Sequence, residues 1–365
     1  MDAEAILTRL VGCRSDRPDQ PEIGAALNEI MQQLGLEPSL DDHGSAAGST
    51  GGEPIAAFVA HADTFSAGSA GWTTNPLGEK RDNELFGRGA AHAKGSVAAM
   101  LLAAARLKQE GVAGIRLGFA RLGAQPVLKE EAGKVLEFLR YINCRFAVCG
   151  EPTGLRVVTR HQGRIVVKVT TLARRAHRLH VVEWTNSIEQ MWEFIRLLRE
   201  RRYSTHLELG RASAAVRSIG TDQGDWLPYQ CVLLVERNTL PGEDENTLRR
   251  EVNNLFTAVA EKDASFEARV EFPYEAQPLV LVDESEKIVR QMLEACKEVL
   301  GSAETARGSE PGLSGWMADA GARVVSFGPG DPLLCHGPDE KVEIAQVEKA
   351  AEILYLFGKR IVEAA

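Results

Sequence analysis

The first 150 residues alternate between short apolar runs typical of buried strands and longer patterns typical of helices. Strands are predicted at 55–60, 115–120 and 146–149, and helices at 23–34, 96–108 and 134–141. The Gly/Ser-rich stretch 44–52 indicates a surface turn ahead of the first strand. Alternation of this kind is typical of the α/β class, in which helices cover both faces of a mostly parallel sheet.

A different order of elements occupies residues 161–274. The pattern reads strand, helix, strand, strand, helix, strand, which is the split βαββαβ unit of a ferredoxin-like sandwich. A segment of about 110 residues is long enough to form its own core. Patterns of the first kind return in 275–365. We therefore predict a discontinuous first domain, 1–160 with 275–365, into which the ferredoxin-like domain 161–274 is inserted.

Composition and charge narrow the functional class. The chain has 365 residues, with 42 Lys and Arg against 51 Asp and Glu, and its formal net charge of −9 provides no global basic field for nucleic acid. Its longest apolar run, 97–105, is half of the ~18 residues that a membrane helix needs. Asp2 and Glu4 stand where a signal peptide would carry positive charge. We expect a cytoplasmic protein that binds neither nucleic acid nor membrane, and whose cysteines are free thiols because none has CxxC spacing.

Candidate chemistry begins where the first strand ends. His61 and Asp63 lie two residues apart on an extended segment, so both side chains leave the same face. An imidazole at this place can bind a metal ion, while the Asp63 carboxylate fixes the tautomer of the ring. The alternative is a strand-end histidine that is bonded only to its neighbouring carboxylate.

A longer motif follows this pair. Trp72 and Pro76 precede the run GRGAAHAKG at 87–95. Together with His61 and Asp63, this order resembles the signature of the co-catalytic zinc amidohydrolases, which include succinyl-diaminopimelate desuccinylase, acetylornithine deacetylase, aminoacylase and carboxypeptidase relatives. The resemblance spans nearly the whole chain. It implies an aminopeptidase-like sheet, zinc at the active site, and an N-acyl amino acid or peptide as substrate.

Two positions depart from that signature. His92 stands where the family has the Asp whose oxygens bridge two zinc ions, and because a neutral imidazole has one free lone pair we expect at most one zinc per chain. The family's glutamate pair after the next strand, a general base and a metal ligand, is replaced by RLGAQP at 121–126. Glu130 and Glu131 are the nearest substitutes, but exposed acids in the first turn of a helix are the simpler interpretation. No general base is identified.

The resemblance also assigns the remaining metal ligands. Residues 146–154, FAVCGEPTG, match the strand and GEPT segment that supplies a carboxylate ligand, which here is Glu151. The segment CHGPDE at 335–340 matches the segment that carries the last metal histidine, here His336. With His61 and His92, these residues form the predicted zinc site.

Three further residues are expected near the substrate. Arg237 corresponds to a family arginine close to the substrate carboxylate, and Glu310 to an acidic residue of the pocket, with a solvated strand-end charge and a polar loop as the alternatives. His177 corresponds to a histidine that reaches the partner's site across a dimer of lid domains. Because the strand 212–219 offers a sheet edge with few charges, we predict a homodimer through the inserted domain.

Two functions follow from these residues. The first is a metal-dependent hydrolase that deacylates an N-acyl amino acid at a reduced, one-zinc site. The second is a catalytically inactive relative that keeps the cleft as a binding or regulatory protein, since both the bridging Asp and the glutamate pair are lost.

Overall fold

The computed structural model describes residues 1–17, 20–68, 71–121, 127–173, 185–222, 228–308 and 311–364. They form two compact units, Met1–His161 with Val280–Ala365, and Gln162–Leu279. The described helices are α1 (Ala3–Gly12), α2 (Glu22–Gln33), α3 (Gly95–Gln109), α4 (Lys129–Ile142), α5 (Ser187–Glu200), α6 (Glu245–Ala260), α7 (Lys287–Leu300), α8 (Leu313–Asp319) and α9 (Ile344–Glu363). The described strands are β1 (Ser39–Leu40), β2 (Ala46–Ser49), β3 (Ala56–His61), β4 (Glu79–Arg81), β5 (Glu84–Phe86), β6 (Ile115–Ala120), β7 (Phe146–Cys149), β8 (Val157–His161), β9 (Gly163–Leu172), β10 (Thr205–His206), β11 (Gly210–Arg211), β12 (Ser213–Thr221), β13 (Gln230–Thr239), β14 (Ala268–Glu271), β15 (Val280–Leu281), β16 (Thr305–Arg307), β17 (Arg323–Ser326) and β18 (Lys341–Glu343).

The large sheet of the first unit is mixed. Its strands lie in the order β1-β2-β6-β3-β7-β17-β8-β15, and β16 pairs with β8. The central strands β6, β3, β7 and β17 are parallel, whereas β2 pairs antiparallel with β6, and β15 with β8. The predicted α/β fold is confirmed, with parallel pairing in the middle of the sheet and again between β16 and β8.

Alternate residues of the central strands face two separate cores. Phe58 of β3 packs in a cluster with residues of α1, α2, α3, α7 and α9. Val59, the next residue, packs in a second cluster with Phe138 of α4 and Trp316 of α8. Since successive side chains of a strand point to opposite faces, helices cover both faces of this sheet.

One predicted turn is a strand. Within 44–52, Ala46–Ser49 form β2, which is largely buried and pairs with β6. Small side chains are needed here because a Cβ on Gly48 would come within 2.9 Å of the Met31 sulfur in α2. The Gly/Ser composition that indicated a turn instead leaves room for a helix packed closely on the strand.

The second unit has the βαββαβ order of elements, with the short pair β10 and β11 added. Its sheet order is β12-β13-β9-β14, and every pairing is antiparallel. Val167 and Leu233 of the sheet form one core with Phe194 of α5 and Val252 of α6. Among the described strands, β12 pairs with β13 alone and therefore lies at an edge of this sheet.

A three-stranded sheet, β18-β5-β4, joins the segment after residue 340 to the loop before α3.

In the part of the chain that the structure describes, no helix has both the length and the apolar character needed to cross a membrane.

Candidate metal-binding active site

Two predicted ligands lie at the carboxyl ends of neighbouring parallel strands. His61 is the last residue of β3, and Glu151 follows β7 by two residues. The strands β3 and β7 pair in parallel. Because the carboxyl ends of parallel strands meet at one edge of a sheet, the two side chains converge there.

A buried carboxylate places the third ligand. His92 lies in a short π-helical turn, Ala90–Lys94, and its φ of −111° and ψ of 98° interrupt the helical path. Its main-chain N–H donates to Glu340 Oε1 at 2.9 Å, and the N–H of Ala91 donates to the same oxygen at 3.2 Å. Glu340 is fully buried and accepts a bond from Arg88 Nη1 at 2.8 Å. The interrupted turn is therefore held by one side chain from the distant C-terminal part of the chain.

These residues form a compact group of metal donors. One donor atom from each of His61, His92 and Glu151 lies within 4.8 Å of the other two, and His92 Nε2 is 3.3 Å from Glu151 Oε2. His61 Nδ1 donates to the main-chain carbonyl of Asp63 at 2.8 Å, so its Nε2 carries the lone pair. That Nε2 is buried without a hydrogen-bond partner. Two imidazoles and a carboxylate are an established zinc-binding set, and the unsatisfied nitrogen fits a cation.

The electrostatics of the group also favour positive charge. Burial acts to raise the pKa of Glu151, but the hydrogen bond and charge of His92, with the charges of His61 and His161, hold that pKa below its ordinary value. Burial acts to lower the pKa of His61, but the hydrogen bond and charge of Asp63 and the charge of Glu151 outweigh it and raise that pKa. The carboxylate is thus anionic, and a proton and a metal ion compete for the nitrogen beside it.

His336 lies beside this group without belonging to it. Its Nε2 is 3.2 Å from His92 Nδ1, and the two rings meet edge to face with centroids 4.5 Å apart. Phe65 packs against the His336 ring, with centroids 4.4 Å apart. His336 therefore contacts the predicted ligand His92, whereas the group of three donors is completed by Glu151.

A cleft of about 300 Å³ opens beside the donors. The side chains that line it are mostly polar or basic. They are His92, Glu151, Pro152, Thr153, Arg156, Val158, His161, Arg307, Gly308, Ser326, Pro332, Cys335 and His336. Such a cleft has the volume and polarity for a small polar substrate.

Comparison with known proteins places the chain in a family. The model of peptidase family M20/M25/M40 matches residues 57–360. The chain belongs to this family. A probable succinyl-diaminopimelate desuccinylase of Staphylococcus aureus is 24% identical over 352 residues, which cover 84% of this chain and 85% of the relative. An acetylornithine deacetylase of Myxococcus xanthus is 25% identical over 381 residues, which cover 96% of this chain and 95% of the relative.

A solved structure of the family shares the fold. An M20 metallo-carboxypeptidase from Sulfolobus solfataricus covers all of this chain, and is itself fully covered, with a TM-score of 0.79 at 16% sequence identity. At that identity the match shows the fold alone. The predicted family is thus confirmed, whereas the structural match assigns no role to individual side chains.

Among the residues that the structure describes, no general base is identified near the metal donors of this M20 chain. At the end of β6, Arg121 is buried and donates to the carbonyl oxygens of Arg17, at 2.7 Å, and of Gln20. Residues 122–126, which include Gln125, lie outside the described part. Glu130 is exposed and Glu131 half-buried in the first turn of α4, which begins at Lys129 rather than at 134. Neither glutamate lines the cleft.

The contact of the Asp63 carboxylate with the His61 ring is less direct than predicted. The atom that accepts from His61 Nδ1 is the main-chain oxygen of Asp63, whereas its Oδ1 is 3.6 Å from the same nitrogen. Two other predicted residues, His177 and Glu310, lie outside the described part of the chain.

Arg237 has partners within the inserted unit. It is buried, donates to Glu243 Oε1 at 2.9 Å, and lies 3.6 Å from Glu251 Oε1. Its guanidinium also lies over the ring of Tyr203, 4.6 Å from the centroid. This network gives Arg237 a structural role in its own unit, and its proximity to a substrate stays a prediction.

Two supporting residues were not predicted from the sequence. Arg88 and Glu340 both stand inside the motifs that carried the family resemblance, at 87–95 and 335–340. Their position in those motifs could have marked both residues as candidates for the site. Their pairing across 252 residues of chain, however, is visible only in the fold.

Proposed function

We propose that this M20 protein is a metal-dependent amidohydrolase that removes the acyl group from an N-acyl amino acid or short peptide, with one zinc ion per chain bound by His61, His92 and Glu151. The observation that supports it most directly is the buried Nε2 of His61, which lacks a hydrogen-bond partner and points to a cation. The names of the relatives, a desuccinylase and a deacetylase, support the reaction class.

The chain's own residues prepare the site. The Asp63 carbonyl holds the Nδ1–H of His61, which leaves the Nε2 lone pair for the metal. The lowered pKa of Glu151 keeps its carboxylate anionic. Arg156 and Arg307 line the same cleft, and their charge suits a carboxylate on the substrate. When bound, the zinc ion supplies Lewis acidity that polarises the amide carbonyl.

The donor set supports one metal rather than two. A bridging carboxylate can bind one cation through each oxygen, but the bridging position holds His92, whose neutral ring has one lone pair. Among the described residues, His61, His92 and Glu151 form the single group of three or more such donors. Arg121, the residue that follows β6, is buried and donates to the main-chain carbonyls of Arg17 and Gln20, so this position supplies no carboxylate.

A catalytically inactive binding protein is the second candidate. Of the described residues that line the cleft, Glu151 is the one carboxylate, and it belongs to the metal group. An amidohydrolase needs a group that takes a proton from water. A chain that holds a metal but lacks this group would bind an acyl amino acid without cleaving it.

Metal analysis and a substrate screen test these proposals together. Protein purified without chelator is analysed for metal and then assayed against acetyl and succinyl amino acids, with His61→Ala as the control for contaminating hydrolase. One equivalent of metal and hydrolysis that His61→Ala abolishes support the proposed enzyme. One equivalent of metal with substrate binding and no hydrolysis supports the binding protein. Two fully occupied metals contradict the one-metal site.

We also propose that the protein is a homodimer through the inserted unit. The edge strand β12 exposes Val216 and Ile219, whose exposed fractions are 43% and 54%. An apolar edge of this kind pairs readily with a two-fold copy of itself. Light scattering is expected to give twice the mass of one chain, and Val216→Lys should shift it toward the monomer. A wild-type monomer at micromolar concentration contradicts the dimer.

A further inference from the structure

The two ring nitrogens of His92 face different partners. Nε2 lies 3.3 Å from Glu151 Oε2, on the side of the metal group. Nδ1 lies 3.2 Å from His336 Nε2. A neutral imidazole has one N–H and one lone pair. If Nε2 keeps its lone pair for a cation, Nδ1 carries the hydrogen and has to donate it.

We propose that His336 is a positioning residue rather than a metal ligand: its Nε2 accepts the hydrogen bond from His92 Nδ1 and thereby aims the Nε2 lone pair of His92 at the metal. A histidine–histidine hydrogen bond then stands where the family signature has a second cation. The inference rests on the proposed one-metal site and extends it, because the family resemblance alone makes His336 the last metal ligand.

One loop holds both the main chain and the ring of His92. Glu340 binds the main-chain N–H of His92, and His336, four residues earlier, contacts its ring. Asp339 anchors the same loop by accepting hydrogen bonds from the main-chain N–H groups of Thr73 and Thr74 at 2.8 and 3.0 Å. Partners of this kind fix the tautomer and the orientation of a metal-binding histidine.

A second cation between the two rings is disfavoured by the donor chemistry. It would require His92 to lose both of its ring protons, so that each nitrogen offers a lone pair. It would also require further donors beside His336. Among the described residues, His92 shares a group of three or more donors with His61 and Glu151, and His336 is not a member of it.

Cobalt binding to the full chain tests the inference without reference to catalysis. Metal-free protein is titrated with Co²⁺ at one fixed pH, and X-ray absorption counts the imidazoles bound to the metal. We expect one Co²⁺ per chain with two imidazoles. His336→Leu, which cannot accept a hydrogen bond, should raise the Kd about 10- to 100-fold and leave two imidazoles on the metal at saturation. His336→Gln, whose side-chain oxygen can accept, should restore most of the affinity.

The loop that carries His336 also offers a matched control variant. Cys335→Ser changes the neighbouring side chain of the loop, whose thiol donates to the Asp331 carbonyl, and should keep the wild-type Kd. Three imidazoles in wild-type protein, or loss of one imidazole in His336→Leu, would show that His336 is a ligand. Equal weakening by Leu and Gln would contradict the hydrogen-bonding role of His336. Two magnetically coupled cobalt ions would also overturn the inference.

The proposed function can fail separately. If wild-type protein binds one Co²⁺ through two imidazoles but hydrolyses no acyl amino acid, the hydrolase is wrong and the role of His336 stands. If it hydrolyses the amide with three imidazoles on the metal, the reverse holds. A chain that binds no Co²⁺ contradicts both.

Discussion

Gly312 lies directly against the predicted metal ligand Glu151, and we expect Gly312→Ala to weaken metal binding selectively. A Cβ at this position would overlap Glu151 Oε1 and lie 3.1 Å from its Cδ. The backbone of Gly312, with φ −128° and ψ −151°, is extended and suits alanine. The added methyl group therefore acts on the carboxylate rather than on the main chain.

The size of the effect follows from the overlap. The carboxylate oxygen has to move by roughly 1 Å to reach an ordinary nonbonded separation from the methyl carbon. Metal–ligand distances are kept within about 0.2 Å, so this displacement removes Glu151 from its present ligand position. Loss of a residue that only orients a metal ligand costs about 10- to 100-fold in metal affinity. Displacing the ligand itself should cost at least as much, so we expect the Kd for Zn²⁺ to rise about 100-fold.

Competition with a zinc-binding dye measures the Kd, and urea unfolding of metal-free protein measures stability. The free energy of unfolding should stay within about 1 kcal/mol of wild type, since alanine at a compatible position restricts the unfolded chain. Gly337→Ala is the matched control, because a Cβ there meets no atom within 4 Å. If Gly312→Ala folds normally and binds zinc as tightly as wild type, Glu151 does not hold the metal.

Two further predictions concern buried charges that support the site. Glu340→Ala leaves Arg88 charged and buried without its 2.8 Å partner, and should lower the free energy of unfolding in urea by about 3–5 kcal/mol. The control Glu84→Ala removes the partly exposed pair with Lys341 and should lower it by at most about 1 kcal/mol. Equal losses in the two variants would contradict the role of burial. Burial lowers the pKa of Lys94 from 10.5 to about 8, so between these pH values the unfolded chain binds a proton that the folded chain has lost, and stability rises with pH. The free energy of unfolding of metal-free wild type, measured relative to Lys94→Met, should therefore increase by about 3 kcal/mol from pH 8 to pH 10.5, and a difference that does not change with pH would refute the lowered pKa.

The local pattern of the chain was sufficient for the central strands and for the position of two of the proposed ligands. The strands 115–120 and 146–149 were predicted with the bounds that the structure has, because short, mostly apolar runs are typical of strands buried on both faces. His61 and Glu151 follow such strands, and neighbouring parallel strands bring their carboxyl ends together. The local strand patterns next to His61 and Glu151 are therefore enough to predict that these two side chains converge.

Local pattern was misleading where packing decides the conformation. Residues 46–49 are a buried strand rather than a turn, because Met31 of a neighbouring helix excludes larger side chains at Gly48. Likewise, α4 begins at Lys129, earlier than its apolar spacing indicated. At 46–49 the deciding contacts, with β6 and with Met31, come from residues that are not neighbours in the chain.

By itself, then, the sequence determined the family, the alternation of the central strands and helices, and the types of side chain available to a metal. Only the tertiary structure decided how these side chains are used. The hydrogen bond between the rings of His92 and His336 spans 244 residues, and the one from the main-chain N–H of His92 to Glu340 spans 248. Contacts of that separation leave no periodic or local trace, because they form only when the sheet and the loop at 335–340 are packed together. The loss of a bridging carboxylate is therefore visible in the sequence, whereas what replaces it is set by the folded chain.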